Sequence, residues 1–545
     1  MTPAASSAKS PYWSRHAWVV CWLLASLGSL AVRPLIPVDE TRYAAVAWEM
    51  VWRHSYWVPY LNGHIYAEKP PMLFWLIQIG WRLFGIVDWW PRLVGPLFAL
   101  LSLLLTRRIA RRLWPERNAQ FVAPVILAGT LYWALFTGAV MLDVILSALV
   151  LVAIAALIDA WRSARLAPFL IAGVALGLAA LTKGPVVLLP VAGVALAAPW
   201  WASDRSPSWG AWYFGFILAI VVAFVVGFAW LIPAGLKGGA AYWKAIGLHQ
   251  TADSLSRSFQ HPRPIWWYLP VVPLMLFPWS LWPPVWRAVS RIRQIGGDPG
   301  VRLCLAWAVP AFVALSLISA KQPHYLLPLL PAFALLVARA LDEVPRRVAS
   351  HWFLPGLLLL TGVAWLLMPF ATRLHGIAAW VATAPPMFAA VFFVLAAAAI
   401  VLARPAAAAA HVRVLAIGSV VWMLALGYGL FEASWPAFDV RPIAAEVGKL
   451  AAQGTALGHA GSYNGEYHFY PRLKVEIAEL RGGDILDWVR AHPDGALIAG
   501  YAPDRVPPPG AAAPIYSQPF RTDDVMIWHN RDVIANPSLL NGAHQ

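Results

Sequence analysis

The residues best suited to chemistry lie in one polar stretch, residues 39–71, of an otherwise apolar chain. The stretch contains carboxylates, tyrosines and a lysine, namely Asp39, Glu40, Tyr43, Tyr66, Glu68 and Lys69. A carboxylate can activate or position an attacking group, and a cation can offset the charge that grows on a departing phosphate. Because the stretch directly follows an apolar run, it indicates an active site held at a membrane surface.

Asp39 also fits the position of a helix N-cap, which is an alternative role for this carboxylate. Val38 precedes it and Tyr43 follows four residues later, which is compatible with a hydrophobic staple. Residues 43–51 then repeat apolar side chains at helical spacing. We expect this helix to lie along the membrane interface, with three anchors at headgroup level: Trp48, Trp52 and Trp57.

The composition indicates a polytopic membrane protein. Of the 545 residues, 60% are hydrophobic and 12% are charged, and the mean hydropathy is +0.62, far from the balance of a soluble domain. The 32 tryptophans suit interfacial belts. Cys21 and Cys304 lie in apolar runs, so no disulfide or metal framework is expected. The net charge of +15 is explained by loop topology and requires no nucleic-acid partner.

Apolar runs of bilayer length predict about thirteen membrane spans. Met72–Phe84 is not one of them, because it is short and is interrupted by Gln78 and Arg82; we expect an interfacial or re-entrant helix there. With this choice, the arginine-rich loops and the N-terminal tail share one side, which the positive-inside rule makes cytoplasmic. The expected spans are 16–34, 93–106, 119–137, 141–158, 166–182, 186–201, 211–231, 265–286, 303–319, 325–341, 352–371, 386–403 and 414–431.

An odd number of spans places the C-terminus on the outer, periplasmic side. Beyond residue 431 charge returns, and strand or helix patterns appear at 444–453, 484–490, 496–501 and 524–529. The predicted fold is therefore an all-α membrane domain, residues 1–431, with a periplasmic catalytic loop at 33–90. A small α/β periplasmic domain, residues 432–545, follows it.

The same topology gathers more polar residues at the outer face: Asp143, Lys183, His249, Arg257, Lys321, His324 and Tyr325. Ionisable groups at membrane depth are costly and are usually functional. Three of them also have an ordinary interpretation: Lys183 as a snorkelling lysine, Asp143 as a helix cap, and His249 as a loop histidine. Both signs of charge converge on one face while the inner loops carry mostly arginine, and this contrast favours a site.

Carboxylates beside lysines and arginines, opening onto lipid, suit glycosyl transfer from a lipid-linked phosphate. Cations would hold the phosphate while a carboxylate acts at the sugar carbon. The chain has no Walker loop and no GxGxxG fingerprint, which disfavours a nucleotide-sugar donor on the inner face.

Four runs resemble the bacterial aminoarabinose lipid A transferase family: DETRY at 39–43, YWVPYLNG at 56–63, YAEKPP at 66–71 and KQPHYLLP at 321–328. That family belongs with the protein O-mannosyltransferase-like GT-C glycosyltransferases, and the similarity covers the membrane region. The resemblance implies a GT-C architecture with a C-terminal periplasmic domain, in agreement with the expected spans.

The resemblance implies roles for the matching residues. Asp39 and Asp143 would be the catalytic carboxylates, and the lipid phosphate would be contacted by Tyr43, by Lys69 and by Arg257 at a shifted position. Glu68 and His249 would match a pair that can hold a divalent metal ion, of structural importance rather than a required cofactor. The outer-face residues add Lys321 to the phosphate site and further cavity contacts, namely Glu40, Tyr66, Lys183, His324 and Tyr325.

These patterns predict an inner-membrane glycosyltransferase that moves a sugar, with aminoarabinose suggested by the resemblance, from undecaprenyl phosphate to lipid A or a related glycolipid. A protein O-mannosyltransferase-like enzyme is the alternative within this class. A membrane transporter is the alternative from another class, although no inverted repeat is evident and the ionisable residues gather at one surface. Sugar, acceptor, stereochemistry, metal dependence and oligomeric state are left open by the sequence.

Overall fold

The structure is a computed structural model that describes residues 16–202, 208–260, 263–344, 351–371, 384–402, 408–508, 510 and 512–544. The backbone alone is described for 247–260, 371, 402 and 408–409. These ranges contain most of the predicted membrane region and most of the predicted C-terminal domain.

Helices dominate the membrane region because most of its sequence is apolar and lacks strand alternation. In chain order they are α1 Ala17–Val32, α2 Asp39–Trp52, α3 Met72–Phe84, α4 Trp89–Leu113, α5 Ala119–Ala128, α6 Leu131–Thr137, α7 Leu142–Ser163, α8 Ala167–Lys183, α9 Leu188–Leu196, α10 Ala198–Trp201, α11 Trp209–Gln260, α12 Tyr268–Met275, α13 Pro283–Ser290, α14 Pro299–Leu317, α15 Leu330–Leu341, α16 Phe353–Ala371, α17 Met387–Leu402 and α18 Ala408–Phe438. Helix α7 lies at the centre of the bundle, since 18 of its residues are buried.

Seven helices of the described ranges are long and apolar enough to cross a membrane, or eight if the α5–α6 pair, bent by 67°, is one span. The other expected spans contain shorter apolar helices, so the count of thirteen stays a prediction. The expected span 265–286 is not one continuous helix. It consists of the 3-10 turn Ile265–Trp267, helix α12 and the start of α13, and Pro278 lies in the break between α12 and α13.

The predicted catalytic loop, residues 33–90, contains α2, a hairpin of β1 Tyr60–Leu61 and β2 His64–Ile65, and α3. Asn62 and Gly63 form the turn of this hairpin, both with positive φ, as a two-residue type I′ turn requires. Helix α3 has only 13 residues, which agrees with the expectation that Met72–Phe84 is too short to cross. The expected headgroup position of Trp48 is wrong, because this indole is buried and donates to the Leu473 carbonyl at 2.8 Å.

The C-terminal region folds as a small α/β domain. Its strands are β3 Leu457–Ala460, β4 Ala478–Leu480, β5 Ala496–Tyr501, β6 Tyr516–Phe520 and β7 Asp523–His529, and its helices are α19 Arg441–Ala452, α20 Asp484–Ala491 and α21 Asn530–Ala535. The sheet order is β4-β3-β5-β7-β6, with β3 parallel to β4 and β5 and the remaining pairs antiparallel. An apolar core lies on each face of the sheet.

This domain rests directly on the catalytic loop. Asn62 exchanges two hydrogen bonds of 2.8 Å with the backbone of Ile477, and the rings of Trp81 and Phe469 stack at 5.3 Å. The Tyr470 hydroxyl accepts from the Leu35 backbone at 3.1 Å. Helix α18 continues to Phe438, beyond residue 431, so the helix crosses the predicted domain division.

Candidate active site

Two helices that are neighbours in sequence bring Asp143 and Lys183 together. Asp143 lies in the first turn of α7, and Lys183 is the last residue of α8, which Gly184 ends with a φ of +77°. A carboxylate at a helix N-terminus and an ammonium at a helix C-terminus both match the helix dipole. The Lys183 Nζ lies 2.5 Å from Asp143 Oδ1, and Asp143 is only 1% exposed. Asp143 makes no capping hydrogen bond, so the cap reading is wrong.

The 3-10 segment Pro323–Leu329 adds two rings beside this ion pair. His324 Nε2 is 4.0 Å from the second carboxylate oxygen of Asp143. The Lys183 ammonium lies over the Tyr325 ring, 4.2 Å from its centroid, in cation–π geometry. The structure therefore joins Asp143, Lys183, His324 and Tyr325, as the sequence predicted.

Asp39 lies in the first turn of α2 but is not its N-cap. The N-cap is Val38, and no side chain caps this end. Asp39 instead forms a short ion pair with Arg42, and its side chain is 48% exposed. The same guanidinium lies 3.8 Å from Glu68. The N-cap interpretation is therefore wrong, and the carboxylate remains accessible to a reactant.

Tyr43 and Tyr66 are buried beside this cluster. Both rings pack against Phe74, with centroids 6.2 and 6.1 Å away. Burial raises the pKa of each phenol, and the Asp39 carboxylate adds to the effect on both. Both hydroxyls are thus protonated at neutral pH and available as donors. The Tyr66 hydroxyl has no hydrogen-bond partner within the described residues.

A cavity of about 380 Å³ opens at the Asp143–Lys183 pair. Its polar end contains Glu68, Lys69, Asp143, Lys183 and Tyr325. Its remaining walls are apolar side chains of α7, α9 and α14 and of the segments next to them: Leu146, Val150, Val186, Val187, Leu189, Pro190, Ala311, Leu315, Ile318, Ala320, Pro328 and Leu329. A cavity with cations at one end and an apolar wall along the rest suits an anionic head on a long apolar chain.

Glu40 is more than the predicted cavity contact, because its buried carboxylate also joins several segments of the chain. Arg33 binds its carboxylate with both terminal nitrogens, at 2.6 and 2.9 Å. The backbone amides of Ile36 and Val140 donate to it at 2.9 and 3.0 Å. Glu40 thereby ties the end of α1 and the start of α2 to the loop before α7, which carries Asp143.

A second cavity, of about 550 Å³, lies on the other side of His324. Its polar end contains Arg33, Asp39, Glu40 and His324, and its apolar walls belong to α1, α6 and α18. Asp39 faces this cavity, whereas Asp143 lines the first one. His324 stands between the two cavities. Each cavity has a polar end and apolar walls, and the two polar ends meet near Asp39 and Asp143.

The structure does not bring Lys321, one of the predicted phosphate contacts, to the cavity lining. Lys321 is 2% exposed, and its ammonium donates to the carbonyls of Ile318 and Arg263 at 2.6 and 2.9 Å. These carbonyls hold it away from the cavity lining. The side chains of His249 and Arg257 lie outside the described residues. The described residues contain no group of three His, Cys, Asp or Glu side chains able to hold a metal ion.

Sequence reasoning missed the roles of Arg33 and Arg42. Each is a cation that organises a carboxylate, Arg33 for Glu40 and Arg42 for Asp39. The available signal was an arginine seven residues before Glu40 and another three residues after Asp39. A pair at i, i+3 on a helix is a standard ion-pair spacing, so Arg42 could have been assigned.

A bundle of apolar helices, with acidic residues and lysines at one end and a small α/β domain above them, defines the class as a GT-C membrane fold. The expected fold class is confirmed by a solved structure, ArnT from Cupriavidus metallidurans bound to undecaprenyl phosphate. That structure matches with a TM-score of 0.74 and 22% identity, over 94% of this chain and 98% of the other. The same ArnT in the apo state matches with a TM-score of 0.72.

Within this class the chain is similar to the aminoarabinose transferases. The undecaprenyl phosphate-alpha-4-amino-4-deoxy-L-arabinose arabinosyl transferase 2 of Pseudomonas fluorescens is 31% identical over 61% of this chain and 60% of its own length. The corresponding transferase of Edwardsiella ictaluri is 30% identical over 68% of this chain and 66% of its own length. The match thus spans about 60% of the first of these relatives.

A family model described as dolichyl-phosphate-mannose-protein mannosyltransferase matches residues 68–230. The matched range begins at Glu68 and contains Lys69, Asp143 and Lys183, which line the first cavity. The resemblance read from the sequence motifs is therefore confirmed in sequence and in fold. The apolar helices and these relatives indicate a multi-pass protein of a bacterial inner membrane.

Proposed function

We propose that this protein is a glycosyltransferase that moves a sugar from an undecaprenyl-phosphate donor to lipid A or a related glycolipid. The observation that carries the proposal is the first cavity, whose acidic residues and lysines lie at the end of an apolar groove between helices. A polyprenyl phosphate has the matching shape, with an anionic head and a long apolar tail. The donor named for the similar transferases, undecaprenyl phosphate-aminoarabinose, has this chemistry.

The lysines act on the phosphate of the donor. Lys69 and Lys183 line the polar end of the cavity, where the low dielectric strengthens an ion pair. During transfer the bond between the sugar anomeric carbon and the phosphate oxygen breaks, and a bond from the acceptor oxygen to that carbon forms. Charge grows on the departing phosphate, and a cation already in place stabilises it without reorganisation.

The acidic residues act on the sugar and the acceptor. If the acceptor oxygen is a hydroxyl, an accessible carboxylate such as Asp39 takes its proton as general base. If it is a lipid A phosphate, the acceptor is already ionised, and the carboxylate stabilises positive charge on the sugar ring. Asp143 serves as the second carboxylate and keeps Lys183 oriented toward the phosphate.

The acceptor lipid enters through the second cavity. This cavity reaches Asp39 and is walled by apolar residues of α1, α6 and α18. Arg33 at its polar end is already bound by the Glu40 carboxylate. Donor and acceptor would approach from opposite sides of His324 and meet between Asp39 and Asp143.

A metal ion at Glu68 and His249 remains a separate proposal. Glu68 lies beside the Arg42 guanidinium, at 3.8 Å, which already supplies a positive charge to that carboxylate. The proposed transfer does not require a metal ion. A structural ion would bridge the catalytic loop to α11. Addition of a chelator followed by metal analysis of the purified protein tests this proposal.

The orientation follows from the arginine distribution, with a cytoplasmic N-terminus and a periplasmic C-terminal domain. A reporter fused after Arg112, at the end of α4, is expected to be cytoplasmic, and one fused after Phe438 is expected to be periplasmic. A periplasmic signal from the first fusion would show that Met72–Phe84 crosses the membrane.

Mass spectrometry of lipid A and of periplasmic proteins, from cells with and without the gene, tests the proposed function. A pentosamine on lipid A that depends on the gene supports an aminoarabinose transferase, and a different gene-dependent sugar would identify another donor. Loss of a protein glycan instead would favour the protein O-mannosyltransferase reading that the family model suggests. Unchanged glycans with altered solute uptake would indicate a transporter.

A further inference from the structure

The C-terminal domain extends one loop into the catalytic cluster. This loop, residues 461–468, follows strand β3, at the carboxyl end of its parallel pairs with β4 and β5. In open α/β sheets this end is where ligands are usually met. Here it meets the catalytic loop of the membrane region instead, and the contact is close.

Gly465 marks how close the approach is. Its φ is +78°, and a Cβ built there would lie 2.5 Å from Leu61 and 3.1 Å from Ala45. Ala45 belongs to α2, less than two helical turns after Asp39 and about one turn after Arg42. Any other residue would require Leu61 or Ala45 to shift, and the positive φ also favours glycine.

Asn464, the residue before this glycine, reaches the active-site arginine. Its Oδ1 accepts from Arg42 Nη1 at 3.4 Å, while the other terminal nitrogen of Arg42 pairs with Asp39. Glu466 holds Asn464 from behind. Its carboxylate accepts from the Asn464 backbone at 2.9 Å and from the side-chain amide at 3.4 Å. The amide orientation is thus set by an acceptor on one side and a donor on the other.

A buried aromatic group keeps the rest of the loop rigid. The Tyr463 hydroxyl pairs with His468 Nδ1 at 2.7 Å and accepts from the Tyr467 backbone at 3.1 Å. Burial lowers the pKa of His468 to about 4, so this imidazole is neutral and can accept the phenol proton in a hydrogen bond. Hydrogen bonds within the C-terminal domain therefore support the loop conformation that presents Asn464 to Arg42.

The geometry points to Asn464 as a positioning residue for glycosyl transfer, contributed by the C-terminal domain. It orients Arg42, and Arg42 orients the Asp39 carboxylate toward the second cavity. This inference rests on the proposed function, in which Asp39 acts on the sugar or the acceptor. It assigns the C-terminal domain a part in completing the active site, in addition to its packing on the membrane region.

The test compares Asn464→Ala with two matched variants of the full-length protein. Ser462→Ala changes the same loop at an exposed serine whose hydroxyl accepts only from Arg481 among the described residues. Tyr470→Phe removes one interdomain hydrogen bond, from the Leu35 backbone, and leaves Arg42 untouched. All are assayed for kcat and for KM of an undecaprenyl-phosphate sugar, per folded protein, and for thermal stability.

Asn464→Ala is expected to lower kcat by about 10- to 100-fold with KM of the donor nearly unchanged, because misplacement of a catalytic group costs about this much. Ser462→Ala should match wild type, and Tyr470→Phe should lose thermal stability with kcat retained. Equal losses of kcat in Asn464→Ala and Tyr470→Phe would show that domain docking matters and that Asn464 does not position Arg42.

A chemical readout separates this inference from the proposed function. Phenylglyoxal modifies accessible guanidinium groups, and peptide mass spectrometry reports the rate at Arg42 without any turnover. Asn464→Ala should raise this rate, and Ser462→Ala should not. If the wild-type protein transfers no sugar but the rate at Arg42 rises in Asn464→Ala, the proposed function fails while the contact stands. An unchanged rate together with wild-type kcat overturns the inference.

Discussion

The ion pair between Asp143 and Lys183 gives the most informative prediction, because stability and activity respond to it differently. The two charged atoms are 2.5 Å apart, Asp143 is 1% exposed, and the Lys183 side chain is 15% exposed. Removing one partner of a buried pair leaves an uncompensated charge and costs about 3–5 kcal/mol. Lys183→Met should reach this range, because the Asp143 carboxylate is left without a cation in contact.

Asp143→Asn should cost less than Lys183→Met. The amide still accepts a hydrogen bond from Lys183, and the Tyr325 ring at 4.2 Å supports the ammonium by roughly 0.5–2 kcal/mol. The double variant Asp143→Asn/Lys183→Met carries no buried charge at this site. Its stability should therefore exceed that of Lys183→Met, with a coupling energy of about 2–3 kcal/mol.

Activity should not follow stability in this cycle. Both residues line the cavity proposed for the donor phosphate, so all three variants should lose transfer even where the double variant regains stability. The measurements are thermal unfolding in detergent and sugar transfer per folded protein. Additive stability effects would show that the two charges do not interact. A stable double variant with wild-type transfer would show that the pair is only structural.

Three further perturbations test other parts of the site. Lys69→Ala should raise KM for the donor strongly, since a phosphate in a low-dielectric cavity loses a counter-charge. Lys69→Arg should recover only part of the lost donor affinity. Wild-type turnover of Lys69→Ala at limiting donor would place the phosphate elsewhere. Asp39→Asn and Asp39→Ala should both lower transfer by about 10²–10⁴-fold. Neither should change the free energy of unfolding by more than about 0.5 kcal/mol, because Asp39 is not a helix cap. An active asparagine variant, with a loss of stability in the alanine variant alone, would show that Asp39 is a cap. The C-terminal domain should weaken as pH falls from 7.5 to 5, because the folded-state pKa of His468, about 4, lies below its unfolded value of about 6.5. The unfolded chain therefore binds more protons between these values, at a cost of about 2 kcal/mol by pH 5 for His468 alone. Burial lowers the pKa of His459 to about 4 as well, so hydrogen exchange of residues 457–470 should accelerate as pH falls through this range. No acceleration would show that neither histidine is buried.

The sequence alone determined the class of the fold and most of the residues in the site. Bilayer-length apolar runs and arginine-rich loops predicted a multi-pass protein, and period-two segments predicted β5 and β7. The predicted site residues Asp39, Lys69 and Asp143 do line the two cavities. These features are local, since hydropathy, periodicity and short motifs depend only on residues close in the chain.

The tertiary structure decided how those residues are paired. Glu40 sits one position from Asp39 in the polar stretch, and nothing in the local pattern distinguishes a buried hub from a catalytic carboxylate. Lys321 lies in a motif run, yet packing places its ammonium against two carbonyls. The N-cap reading of Asp39 failed because Arg42 offered a charged partner that outcompetes a backbone amide.

The decisive contacts join residues far apart in the chain. Lys183 meets Asp143 across 40 positions, the Val140 amide meets Glu40 across 100, and Asn464 meets Arg42 across 422. Such contacts depend on how helices pack and on how the C-terminal domain sits on the catalytic loop. Hydropathy and periodicity encode which face of a segment is buried but not which partner covers it, so these pairings could be read only from the folded protein.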